Sequence, residues 1–157
     1  MPSQCFVINE WLLEDLLGEN GPEREEQSHQ FLLKLIEKCD KIAVMEPSPW
    51  LDKAWKLSRH GSPKQLEYGR ILFGRIYVDP RKCHHLYKNE VKSLPEGLKE
   101  LIGPKDQYLV ETYCSVQDVT LLVTTDKKHI FDALFGSSWD IKAALRDDFL
   151  NDYLGSR

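Results

Sequence analysis

The sequence predicts an α/β fold, a three-layer sandwich in which a mostly parallel central sheet lies between layers of helix. Three observations carry that expectation. The chain has 157 residues, a length suited to one domain spanning 1–157 that buries its own core. Short β-prone runs alternate with helical patterns along its whole length, the order of a doubly wound parallel sheet. One run, Thr120-Leu121-Leu122-Val123-Thr124, is continuous rather than alternating, as in a strand covered on both faces.

Taken in order, Phe6-Val7-Ile8 predicts the first strand, and polar Asn9-Glu10 follows it directly. Leu12, Leu13, Leu16 and Leu17 then fall at helical spacing until Gly18 stops the turn. From Glu23 to Cys39 an acidic opening and the stripe Phe31, Leu32, Leu35, Ile36 predict a longer helix. Ile42-Ala43-Val44-Met45 predicts the second strand. Ser48-Pro49 reads as an N-cap with proline at the first helical position, opening a helix through Leu57. Ser62-Pro63-Lys64-Gln65 repeats the signal with a capping-box glutamine, for a helix reaching about Phe73.

Arg75-Ile76-Tyr77-Val78, closed by Asp79-Pro80, predicts a third strand. Cys83 to Lys88 reads as loop or short helix, and Pro95 to Leu101 as one or two helical turns. Leu109, Val110, Tyr113 and Cys114 share a helical face between about Lys105 and Ser115. After the Thr120–Thr124 strand come a helix from Lys128 to Phe135, a short strand near Asp140–Ala143 and a closing helix from Arg146 to Leu154.

Net charge is −4, which disfavours indiscriminate nucleic-acid binding, but the charges are segregated. Residues 1–52 carry four basic and eleven acidic side chains, residues 53–92 ten basic and three acidic, and residues 93–157 seven basic and eleven acidic. A basic middle between acidic flanks suits a metal site beside a phosphate-binding surface. No apolar run approaches the ~20 residues that cross a bilayer, so no membrane association is expected. The opening residues lack the basic flank and long apolar stretch of a secretory signal, and the expected location is cytoplasmic. Cys5, Cys39, Cys83 and Cys114 form no CxxC pair, and buried free thiols are expected. Cys83-His84-His85 has no second ligand pair at zinc-site spacing. GxGxxG and GxxxxGK loops are absent from the sequence, which argues against nucleotide binding of those kinds.

Ligands of open parallel sheets bind where the carboxyl ends of strands meet helices. Asn9 and Glu10 follow the first strand, Glu46, Ser48 and Asp52 the second, and Thr124-Thr125-Asp126 the strongest one. Asp106 opens the helix before that strand, with Glu111 further along it. Converging carboxylates repel unless a cation lies between them, and hard oxygen donors suit Mg2+ or Mn2+. Taken singly, Asp126 reads equally as a helix cap and Asp106 as a partner of a helix dipole. A phosphotransferase of another α/β family is disfavoured, because no Asp-x-Asp pair follows the first strand.

Three stretches together resemble the PIN-domain nucleases: Phe-Val-Ile-Asn9-Glu10-Trp-Leu-Leu, the segment from Asp106 through Asp118-Val-Thr-Leu-Leu-Val-Thr-Thr-Asp126, and the closing Arg146-Asp-Asp-Phe-Leu-Asn-Asp-Tyr-Leu154. The resemblance covers nearly the whole chain and is thinnest over residues 59–103. It implies Asp106 and Asp126 as metal ligands, with the family's second acid falling on Asp52 or on Glu46. It implies RNA cleavage dependent on Mg2+ or Mn2+ and an antitoxin as partner; in a nuclease Thr125 is the residue expected to position water or phosphate, and another protein or a second copy is the alternative partner. The departure is Asn9, where the family has aspartate; an amide oxygen still ligates a metal but removes one charge. That departure opens the alternative of a PIN-like module that binds RNA or protein without cutting.

For the RNA backbone the basic stretch offers Arg59, Lys64, Arg70 and Arg75. Trp55 and Tyr68, within the same stretch, are the aromatics placed to stack on bases.

Overall fold

The computed structural model describes residues 3–135 and 137–155. Its centre is a five-stranded sheet in the order β3-β2-β1-β4-β5, with every neighbouring pair parallel. The strands are β1 (Cys5–Ile8), β2 (Lys41–Glu46), β3 (Cys83–Tyr87), β4 (Leu121–Thr124) and β5 (Ala143–Leu145).

Successive strand residues point to opposite faces, and each face has its own core. Phe6, Ile8, Ile42, Val44 and Val123 join one apolar cluster. It is completed by side chains of helices α1 (Trp11–Leu16), α2 (Pro22–Glu37), α3 (Pro49–His60) and α4 (Pro63–Ile71), and of the closing helix α8 (Arg146–Gly155). Cys5, Val7, Ala43, Met45 and Leu122 join the other, against α5 (Glu96–Leu101), α6 (Gln107–Ser115) and α7 (Asp132–Phe135). The sheet is therefore buried on both faces, as the continuous apolar strands require. The expected three-layer α/β sandwich is what the structure shows.

Local signals account for several helix starts. Ser48 Oγ accepts from the Leu51 N–H at 3.2 Å. The Ser62 capping box closes from both sides, Gln65 N–H to Ser62 Oγ at 3.2 Å and Ser62 N–H to Gln65 Oε1 at 3.1 Å. At the start of α8 a buried ion pair ties that helix to α1: Arg146 Nε lies 2.8 Å from Asp15 Oδ2, the side chains 2% and 0% exposed. Ser28 Oγ and Asn20 Nδ2 also donate to that carboxylate, each at 2.7 Å, so its charge is fully engaged.

Two strands lie elsewhere than expected: β5 is Ala143–Leu145, a few residues beyond the expected Asp140–Ala143, and the third strand moves further. Arg75–Val78 is not a strand; the helical path of α4 continues through a π-helical segment, Leu72–Tyr77. Leu72 and Ile76, four residues apart, both reach the first core, and that burial outweighs the β-preference of Ile-Tyr-Val. The third strand is Cys83–Tyr87 instead, an edge strand with only Cys83 and Leu86 buried. The loop-or-helix reading of 83–88 is corrected accordingly. The expected helix over Lys128–Phe135 is a π-helical turn, Lys127–Phe131, followed by α7. Cys5 and Cys83 are buried thiols, whereas Cys39 and Cys114 are exposed. Among the described residues no helix is long and apolar enough to cross a membrane.

Candidate functional site at the carboxyl edge of the sheet

The strand order places β1 beside β4, although β2 and β3 separate them along the chain. From β1 the chain turns into α1 on one face, and from β4 into α7 on the other. Connections that diverge to opposite faces leave a crevice at the carboxyl ends of the two strands. Asn9-Glu10 and Thr124-Thr125-Asp126 flank that crevice.

Asn9 continues β1, its N–H bonding the Val123 carbonyl at 2.9 Å. Its Nδ2 donates to Thr124 Oγ1 at 3.0 Å, and its Oδ1 accepts from the Glu10 N–H at 2.6 Å. Thr124 Oγ1 also accepts from the Asp126 N–H at 3.0 Å. The buried Thr124 hydroxyl thus joins Asn9 to Asp126. Asp126 Oδ1 in turn accepts from the His129 N–H at 2.8 Å, with the His129 ring nitrogen 3.5 Å away.

Asp106 ends a 3-10 turn, Pro104–Asp106, just before α6. It is buried, yet its side chain makes no capping hydrogen bond, and among the described residues it has no ion-pair partner. Burial pushes its carboxyl above the usual carboxylate range; Lys105 opposes the rise, Asp126 and Glu10 add to it, and His129 opposes it. The Asp126 charge is therefore near enough to act on Asp106.

Glu10 is drawn in because the chain has already turned there: its backbone is helical, φ −65° and ψ −10°. Its carboxylate accepts from the Tyr108 hydroxyl at 3.0 Å and pairs with Lys53 Nζ at 3.0 Å. Lys53 Nζ also reaches Glu14 Oε2 at 2.5 Å. Burial works to lower the Lys53 pKa, but the hydrogen bonds to Glu14 and Glu10 and their charges raise it overall. Burial and the Glu10 charge drive the Tyr108 phenol well up, so it stays a hydrogen-bond donor.

The remaining expected residues fall as follows. Asp52 is exposed, opposite the buried face of α3 formed by Trp50, Leu51, Ala54 and Leu57; the neighbouring Lys53 makes the contacts with Glu10 and Glu14. Glu46, at the end of β2, accepts from the Tyr77 hydroxyl at 2.5 Å and lies 3.7 Å from His85 Nδ1. Thr125 is exposed, and Thr124 is the hydroxyl that holds the site together. Lys64 pairs with Glu25 at 3.1 Å and Arg70 with Glu67 at 2.8 Å. Tyr68 is 1% exposed and donates to Glu25 at 2.8 Å; as a stacking platform it is ruled out by burial. Lys53, Glu14 and Tyr108 were missed by sequence reasoning. Only helical phase could have found Lys53, which sits one residue and about 100° beyond Asp52.

No family model matches the chain, and no curated protein or solved structure matches it significantly. For a divalent cation the donor kinds are right: carboxylate and amide oxygens, without thiolate. The arrangement is looser than the kinds. Among the described residues no group of three or more His, Cys, Asp or Glu side chains is set to hold a metal ion, and Asn9 Oδ1 and Asp126 Oδ1 already accept protein hydrogen bonds. Of the expected ligands, Asp106 and Asp126 are two carboxylates whose charges act on one another.

Proposed function

We propose that this protein is a divalent-metal-dependent ribonuclease of the PIN-like kind, acting at the β1–β4 crevice. The observation that supports the reading best is Asp106: a buried carboxylate without an ion-pair partner, beside Asp126 and Glu10, at the place where open parallel sheets bind their ligands. Asp106 and Asp126 would hold Mg2+ or Mn2+, with Asn9 Oδ1 at the rim and Glu46 or Asp52 as further acids. Such an ion polarises a phosphate and lowers the pKa of bound water. The chain's own residues do the rest. Thr124 fixes Asn9 and Asp126 relative to each other, Tyr108 and Lys53 hold Glu10, and Arg59 and Arg75 offer cations to the backbone of RNA. An antitoxin-like protein or a second copy is the proposed partner, and the cytoplasm the proposed location.

A second reading rests on Lys53. Its ammonium already supplies Glu10 and Glu14 with a positive charge, and the Asn9 amide already makes protein hydrogen bonds through both its nitrogen and its oxygen, as suits a PIN-like module that binds without cutting. Cleavage of a labelled RNA in Mn2+ against excess chelator separates the two. The nuclease reading expects cleavage that chelator abolishes, and that Asp106→Asn and Asp126→Asn each remove while the fold persists. Equal cleavage in chelator, or by both variants, contradicts it; binding without cleavage in any metal selects the module.

A further inference from the structure

A row of rings crosses the molecule away from the acidic crevice. Trp55 on α3 stacks on Phe73 with centroids 4.1 Å apart and planes 14° from parallel. Phe73 meets Tyr77 edge-on at 5.4 Å, both on the π-helical segment. Tyr77 lies 4.2 Å from the His85 ring on edge strand β3. The row begins at a cation, with the Arg59 guanidinium 5.5 Å from the Trp55 ring centroid, and ends at the carboxyl edge, where Tyr77 bonds Glu46.

Packing alone does not explain its outer end. Trp55 is 37% exposed, although the core face of α3 is filled by Trp50, Leu51, Ala54 and Leu57. Residues 55, 56 and 59 fall at i, i+1 and i+4, so Trp55, Lys56 and Arg59 share the outward side of the helix with Asp52. Lys56 and Arg59 are exposed, and neither takes part in a salt bridge among the described residues. The same stretch, 53–92, carries ten basic and three acidic residues. An exposed indole flanked by unpaired cations, backed by a rigid stack, is the arrangement that holds single-stranded nucleic acid: bases stack on rings while cations follow the phosphates. A duplex hides its base faces, and a protein partner has no need of the cations.

We propose that the Arg59–Trp55–Phe73–Tyr77 row is a docking platform for single-stranded nucleic acid. It rests on the nuclease reading only for the destination of the strand, since the row ends at Glu46 on the carboxyl edge. A base takes the exposed side of Trp55, and the Arg59 guanidinium, which lies over that ring 5.5 Å from its centroid, turns to the adjoining phosphate.

Fluorescence anisotropy of a labelled 12-nucleotide single strand, as RNA and as DNA, tests the platform in chelator, so that no cleavage enters. Stacking reads base faces and not sugars, so the platform expects at least one of the two to bind, and more tightly than the corresponding duplex. Trp55→Ala weakens binding roughly 5- to 150-fold, the range of losing one base–aromatic stack, while Trp55→Phe retains most of it. Arg59→Gln lowers the salt slope by about one. Equal affinity of Trp55→Ala and parent, equal binding of duplex and single strand, or full competition by inorganic polyphosphate overturns the platform. Binding that follows these expectations in a protein that never cleaves RNA overturns the nuclease reading and leaves the platform standing.

Discussion

Asn9→Asp is the perturbation that most sharply probes the crevice, and its hydrogen bonding can be followed atom by atom. In the parent, Asn9 Oδ1 accepts from the Glu10 N–H and Nδ2 donates to Thr124 Oγ1. Aspartate keeps the first contact. For the second, Thr124 Oγ1 at present accepts twice, from Asn9 and from the Asp126 N–H, leaving its own proton to donate. That proton turns to the new carboxylate, so the substitution strands no buried donor. What changes is charge: one more anion beside Glu10, Asp126 and Asp106. Without metal this costs on the order of 1 kcal/mol, the scale of one like-charge neighbour in a half-buried site. In a chain of this length that lowers Tm by roughly 2–4 °C. With metal the sign reverses. At 100 times Kd a cation bound only by the folded state adds about 2.7 kcal/mol, or roughly 5–11 °C. Differential scanning fluorimetry in chelator and in Mn2+ reads both halves. The reasoning fails if the variant melts at the same temperature in the two buffers, or if it is destabilised by much more than the charge term, which would mean that Thr124 cannot reorient.

Two further outcomes follow from buried charge. Arg146→Met leaves Asp15 fully buried without its cation and with only Ser28 and Asn20 as donors, a loss of about 3–5 kcal/mol; Tm falls by roughly 6–20 °C, and pairing it with Asp15→Leu recovers part of the loss in the same melt. Asp106 has a folded-state pKa above its unfolded value, so its favourable contribution is complete below the unfolded value of about 3.9 and is lost as pH rises through the folded one. Asp106→Asn cannot ionise, and it should melt with the parent near pH 4 and above it at neutral pH in chelator; a variant less stable than the parent at pH 7 contradicts the placement of that carboxylate.

What could be read from the sequence, and what could not, divides along physical lines. β1, β2 and β4 are covered on both faces, so consecutive side chains through their middles are apolar and the strands announce themselves. Ser48 and Ser62 cap helices through contacts within four residues, which a local pattern carries in full. β3 was illegible because it is an edge strand: Cys-His-His-Leu-Tyr buries only Cys83 and Leu86, too few apolar positions to outweigh the stronger Ile-Tyr-Val signal upstream. The crevice was legible in part. Strand ends nominated Asn9 and Asp126, which the Thr124 hydroxyl joins, and a helix start nominated Asp106, on which the Asp126 charge acts. Lys53, Glu14 and Tyr108 come from three helices, and their meeting with Glu10 depends on helical phase and long-range packing that no short motif encodes. Lys64 and Tyr68 looked available for RNA because their partner Glu25, distant along the chain, is invisible until the chain folds, whereas the Arg70 partner Glu67 stands three residues back on the same helix.

Anomalous scattering from a crystal soaked in Mn2+ addresses the crevice directly. A single strong peak in contact with carboxylate oxygens of both Asp106 and Asp126, lost in Asp106→Asn, is the predicted result. A peak elsewhere with none between those two side chains, or an unchanged peak in the variant, would leave the acids at the β1–β4 edge without a cation to share.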